Sequence, residues 1–151
     1  MYGSALMAFV HHLAAFTLVA SLAVEVAMFK PPLSMLQAQR LQRTDMLFGA
    51  AATVVLVVGM LRVAFFEKGP AYYWHDTYFL IKFAAFVLAA LISIYPTMIF
   101  LSWNRSLKAG TPPDVPLVRM RRVRMCLMLE LTAFVVILLC AALMARGFGY
   151  R

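Results

Sequence analysis

Four long apolar runs dominate the sequence, and shorter polar segments separate them. The runs span residues 5–29, 46–66, 78–103 and 125–145. A run of more than about 18 apolar residues predicts a transmembrane helix, because a helix needs that length to cross the hydrocarbon core of a bilayer. Short connections between successive helices favour antiparallel neighbours. The pattern therefore predicts an all-α integral membrane protein, in which residues 1–151 form a single domain built as a four-transmembrane-helix antiparallel bundle.

The connection between the first two runs carries signals for a helix end and a new helix start. Pro31 and Pro32 follow Lys30, and proline ends a helix because it has no amide donor and clashes with the preceding turn. Residues 33–43 mix glutamine and arginine with leucine and methionine, which predicts a short separate helix lying at the membrane interface. Asp45 is then expected at the start of the second span, where its carboxylate would suit the positive end of the helix dipole.

The cations of the chain are concentrated in two of the connections. The formal charge is +8, from 14 Lys and Arg against 6 Asp and Glu, although only 13% of residues are charged, and soluble domains carry about 25%. Nine cations lie in or beside the connections that follow the first and third runs: Lys30, Arg40, Arg43, Arg105, Lys108, Arg119, Arg121, Arg122 and Arg124. The other five lie toward the opposite ends of the helices: Arg62, Lys68, Lys82, Arg146 and Arg151. Because basic loops stay on the cytoplasmic side, this distribution predicts N- and C-termini outside, in the periplasm, for a multi-pass protein of the bacterial inner membrane. It also favours lipid headgroups over nucleic acid as the anionic partner.

Ionisable side chains inside the apolar runs are costly in a bilayer and therefore mark candidate sites. His11, His12, Arg62 and Lys82 all fall in the half of the bundle nearer to the termini. Such a group would attract an anion, a porphyrin carboxylate or a quinone oxygen, and a histidine ring nitrogen can ligate haem iron. His75, in the loop on the same side, could supply a second axial ligand. The alternative is that the two cations reach the headgroups, that the paired histidines bond to backbone and that His75 is solvated.

Two carboxylates form a second layer, in the half of the bundle nearer to the basic connections. Glu25 and Glu130 belong to the first and fourth runs. Glu25 is about 20 Å along the helix from His11, so the two layers cannot be one site. The first and fourth spans of an up-down bundle are neighbours, which would bring the carboxylates together as a proton or cation site. Pairing of each glutamate with a loop arginine, such as Arg43 or Arg124, is the alternative.

Three stretches of the sequence resemble a bacterial family of integral membrane proteins, domain-of-unknown-function family 2214: HHLAAFTLVASLAVE, RTDMLFGAAATVVLVVGMLRVAFFEKG and FLIKFAAFVLAALISIYPTMIF. The resemblance covers most of the first three runs and implies a four-helix membrane fold. More distantly, the chain is similar to HemJ-type protoporphyrinogen oxidases and the CopD-like membrane group. That similarity lies in His11 or His12 before an aliphatic-aromatic run, and in Lys82 near the start of a later span. Where HemJ-type proteins tend to have a histidine after a tyrosine late in that span, this chain has Tyr95-Pro96.

These observations lead to one main functional hypothesis and two alternatives. The main hypothesis is a haem- or porphyrin-linked redox membrane protein, in which His11 or His12 ligates haem b while Arg62 and Lys82 hold the carboxylates. The first alternative is a small transporter or ion-handling protein that uses Glu25 and Glu130. The second is a non-catalytic membrane assembly subunit that docks through residues 119–124. The expected partners are the lipid bilayer and either haem or a quinone. Assembly into a homo-oligomer is a further alternative.

Overall fold

The computed structural model describes residues 2–149, and within them the chain is helical with no β-sheet. The helices are α1 Tyr2–Met28, α2 Met35–Leu61, α3 Pro70–Trp74, α4 Thr77–Ser102, α5 Asn104–Lys108 and α6 Leu117–Ala145. A π-helical turn, Arg62–Phe66, continues α2 at its C-terminal end.

Four of these helices are long and apolar enough to cross a membrane: α1, α2 with its π-helical turn, α4 continued by α5, and α6. Less than a quarter of the most apolar window of each helix is buried inside the protein. Many of the other large apolar side chains are exposed, as expected for helices surrounded by lipid. The predicted all-α, four-helix membrane fold is therefore confirmed. Arg151, which the charge count used, lies outside the described residues.

The bundle is assembled from two helical hairpins. α1 packs along α2, and α4 packs along α6. The hairpins meet where α1 contacts α6 and α2 contacts α4, so that each long helix has two neighbours. The expected adjacency of the first and fourth spans is confirmed. We call the end with the connections 29–34 and 103–116 the basic end, and the opposite end, with the connection 67–76, the terminal end.

The tightest core lies toward the basic end. Phe100 of α4 is fully buried between Phe29, with ring centroids 6.0 Å apart, and Trp103, with centroids 5.0 Å apart. Leu22 of α1 and Leu41 of α2 are fully buried in the same cluster. The terminal end is less filled, and this difference leaves room there for a cavity.

The start of α2 differs from the prediction. Residues 33–43 are not a separate interfacial helix, because one continuous helix begins at Met35. Ser34 caps it: the Gln37 amide donates to the Ser34 hydroxyl at 3.2 Å, and the Ser34 amide donates to the Gln37 side chain at 2.9 Å. This capping box fixes the start well before the apolar run. Asp45 therefore lies inside the helix rather than at its N-terminus, and the role predicted for it was wrong.

Candidate functional site

A cavity of about 510 Å³ lies at the terminal end, between the long helices. Its lining contains four of the ionisable residues that the sequence predicted for this half of the bundle: His11, His12, Arg62 and Lys82. Aromatic side chains supply much of the remaining wall: Tyr72, Tyr73, Phe79, Phe83, Phe86 and Phe134. The site is therefore an apolar, aromatic chamber with basic groups in its walls.

His11 is the imidazole that faces the interior of the bundle. Its ring packs against Gly59 of α2, where a Cβ atom would lie 3.1 Å from the ring atom Cε1. The ring also lies near the backbone carbonyl of Val55, but Nδ1 is buried without a hydrogen-bond partner. His12 is exposed, and its ring meets that of His11 edge to face with centroids 6.1 Å apart. The structure thus places one imidazole inside the cavity and one at its rim.

Arg62 reaches the cavity from the π-helical turn that ends α2. Its Nη2 atom pairs with Oε1 of Glu67 at 2.6 Å, while its Nε atom is buried without a hydrogen-bond partner. π-helical turns are rare and occur frequently at functional sites. Here Arg62 begins the turn and Glu67 directly follows it, and both side chains line the cavity.

Lys82 is the cation in the cavity whose positive charge has the fewest polar partners. Its Nζ lies 5.4 Å from the ring centroid of Phe79, and it makes no ion pair among residues 2–149. Asp76 is the acid nearest to Lys82 along the sequence, but it does not pair with Lys82. It caps α4, because its Oδ1 accepts from the amides of Tyr78 at 2.9 Å and Phe79 at 3.1 Å.

The lining as a whole is cationic. It holds Arg62, Lys68 and Lys82 against two carboxylates, Glu67 and Asp76, before the histidines are counted. Burial raises the pKa of the Tyr73 phenol above its ordinary value, so this side chain stays neutral at physiological pH. The arrangement suits an apolar ligand that carries negative charge.

His75 is not part of this chamber. Its side chain is exposed, with Nδ1 2.7 Å from the backbone oxygen of Ala71, and it does not line the cavity. The second axial ligand that the sequence suggested is therefore not brought beside His11.

The predicted inner layer is present as two buried carboxylates, and a third acid accompanies them. Glu25 and Glu130 are each 1% exposed, and Asp45 is 6% exposed. The three are close enough for their charges to act on one another. Neither glutamate pairs with an arginine, because Arg62–Glu67 is the one ion pair among the described residues. The sequence pattern placed Asp45 at a helix start and not in this layer, and the capping box before Met35 was the signal that could have corrected this.

A second cleft, of about 410 Å³, opens at the basic end and reaches Asp45. Polar and basic side chains line it with Asp45, including Gln42, Arg43, Asn104 and Lys108. Within residues 2–149, no group of three or more histidine, cysteine, aspartate or glutamate side chains has an arrangement that could hold a metal ion. A metal role for His11 and His12 stays a prediction.

Comparison with known proteins places the chain in a family. No curated protein and no solved structure matches it. A family profile, described as a predicted membrane protein family, DUF2214, matches residues 3–149. Nearly all of the chain is covered, including all four long helices. The protein therefore belongs to DUF2214, a family of membrane proteins of unknown function.

Proposed function

We propose that the protein binds a porphyrin, with haem b as the first candidate, in the cavity at the terminal end and takes part in membrane redox chemistry. The observation that carries the proposal is the imidazole of His11, held inside an aromatic chamber with a buried ring nitrogen that has no hydrogen-bond partner. A buried polar atom without a partner is uncommon in a native fold and calls for an explanation such as a ligand.

The residues present fit the chemistry of a haem. His11 would ligate the iron, and the aromatic wall would contact the faces of the macrocycle. Lys82 and Arg62 would hold the carboxylates, with Lys82 contributing more because Glu67 already pairs with Arg62. A bound haem would supply one-electron chemistry. His12 stands at the rim and His75 outside, so the chain offers one imidazole to the interior rather than two.

The location of the site follows from the charge distribution, and it is part of the proposal. The basic end would face the cytoplasm, since basic loops remain on that side. The cavity would then open toward the periplasmic face of a bacterial inner membrane. An electron or ligand exchanged there would pass between the protein and the outer leaflet or periplasm.

The test is the absorption spectrum of the protein purified in mild detergent after expression with added haem precursor. We expect a Soret band that is lost in His11→Ala and retained in His75→Ala, because His75 does not line the cavity. Lys82→Met should weaken haem binding by about tenfold or more, since a charge-assisted hydrogen bond is worth about 1.5–3 kcal/mol. A wild-type protein without a Soret band, or a band that survives His11→Ala unchanged, would remove the haem proposal.

A further inference from the structure

The second feature with unexplained chemistry is the group of carboxylates near the basic end. One residue from each long helix contributes to it: Glu25 from α1, Asp45 from α2, Thr97 from α4 and Glu130 from α6. The Thr97 hydroxyl donates to Oδ1 of Asp45 at 2.8 Å, which joins α2 and α4 at this level. We call these three acids and the threonine the acid cluster.

The two glutamates of the acid cluster are buried and unsatisfied. Oε1 of Glu25 and Oε1 of Glu130 are both shielded from solvent and have no hydrogen-bond partner, and each residue is 1% exposed. These two atoms belong to different helices that pack against each other. A pair of orphaned carboxylate oxygens in the interior indicates that something absent from the polypeptide normally satisfies them.

Among residues 2–149, no cation makes an ion pair with the acid cluster, although Arg43 and Lys108 line the cleft that Asp45 reaches. The charges that act on Glu25 are those of Asp45 and Glu130, and the charge that acts on Glu130 is that of Asp45. The other polar neighbours are uncharged: Ser21 is buried one turn before Glu25, and Cys126 lies one turn before Glu130. Three negative charges cannot share a low-dielectric interior without compensation.

The chemistry of the donor set favours protons over a metal ion. The described acids do not form an arrangement that could hold a metal, so they are not preorganised as a coordination shell. A buried carboxylate without a cation partner is neutralised by taking up a proton instead.

The cleft at the basic end provides an access route. Asp45 lines the cleft and also belongs to the acid cluster, and it is 6% exposed, unlike the two glutamates. Its Oδ1 accepts a hydrogen bond from Thr97, which fixes the side chain in the wall of the cleft. Gln42, which lines the same cleft, is fixed by donating to the Phe100 carbonyl at 2.6 Å and to the side-chain oxygen of Asn104 at 3.1 Å.

We infer that Glu25, Asp45 and Glu130 form a buried proton-binding site, and that Asp45 passes protons between it and the basic end of the protein. The site is separate from the cavity around His11, about 20 Å away along α1, so it does not depend on haem binding. It gives the protein a means of taking up and releasing protons inside the membrane.

Infrared spectroscopy of the purified protein in lipid tests this directly, because protonated and ionised carboxyl groups absorb at different frequencies. We expect protonated-carboxyl absorption in the wild type at neutral pH, reduced in Glu25→Gln and in Glu130→Gln. Asp114→Asn is the matched control: Asp114 is an exposed loop acid, and its replacement should leave the absorption unchanged. A wild-type spectrum without that absorption, or variants that retain all of it, would overturn the proposal without any reference to haem.

Two further measurements test whether protons pass through Asp45 and whether the bound ion is a proton or sodium. After transfer to heavy water, Asp45→Asn should slow the isotope shift of the glutamate carboxyl band several-fold relative to the wild type, and an unchanged rate would refute Asp45 as the route. At constant pH, replacing potassium by sodium should not alter the band. If sodium ionises the carboxyl groups, the cluster is a sodium site and the proton proposal is wrong.

Discussion

Gly59 provides a sharp test of the position of His11, because the two residues touch across the α1–α2 hairpin. A Cβ atom at Gly59 would lie 3.1 Å from Cε1 of His11 and 3.6 Å from Nδ1. The first distance is shorter than an ordinary van der Waals contact, so Gly59→Ala must displace the imidazole by a few tenths of an ångström or separate the helices. Gly49, on the same helix, has nothing within 4 Å of the equivalent position and is the matched control.

The expected changes in the free energy of unfolding follow from two opposing effects. Replacing glycine by alanine inside a helix stabilises it by up to about 1 kcal/mol, and Gly49→Ala should show this gain. Overpacking at this contact costs about 1–3 kcal/mol, so Gly59→Ala should lose the gain and be no more stable than the wild type. If the displaced imidazole costs about 1 kcal/mol in ligand binding, haem affinity falls about fivefold.

The assay is unfolding in mixed micelles of increasing SDS fraction, followed by circular dichroism, together with haem titration of both variants. Gly49→Ala should be more stable than the wild type and bind haem equally well, whereas Gly59→Ala should differ in both respects. If the two variants are equally stabilised and bind haem alike, then His11 does not pack against Gly59 and the geometry of the cavity is wrong.

Three other changes probe separate parts of the structure. Ser34→Ala should lower the free energy of unfolding by about 1 kcal/mol, measured by the same SDS titration, because it removes the cap of α2; no loss would argue against a helix start at Met35. Glu67→Gln should change stability by less than about 1 kcal/mol, since the ion pair is partly exposed, but should raise the affinity for an anionic porphyrin by releasing Arg62; weaker binding in a titration would contradict this. Thr97→Val should cost about 1–3 kcal/mol because it leaves Asp45 without its donor, whereas Thr97→Ser should be nearly neutral, and equal losses would show that the hydroxyl is not used.

The general architecture could be predicted from the sequence because it depends on length and apolarity. A run such as residues 78–103 has few alternatives to crossing a bilayer, and short connections then set the order of neighbours. The same reasoning located Glu25 and Glu130 at similar depth on adjacent helices. These are properties of single segments and their order, and no knowledge of side-chain packing was needed.

The features that sequence analysis missed depend on contacts between segments or on irregular backbone. The register between α1 and α2, which sets His11 against Gly59, cannot be read from the sequence of either helix alone. Arg62 and Glu67 are five residues apart, and side chains on an α-helix meet at three or four, so helical spacing did not predict an ion pair across the π-helical turn that ends α2. Asp45 was assigned to a helix start because the polar residues before it suggested an interfacial segment, whereas the capping box at Ser34 makes them the first turns of α2.

The central claim is that His11 holds a haem inside the cavity, and chemical rescue measures it most directly. His11→Ala removes the imidazole and leaves space for a small molecule of the same shape. When titrated with haem, this variant should show no histidine-ligated spectrum alone and should recover it when free imidazole is added, while His12→Ala should need no rescue. A His11→Ala protein that binds haem as the wild type does, with no response to imidazole, would contradict the account.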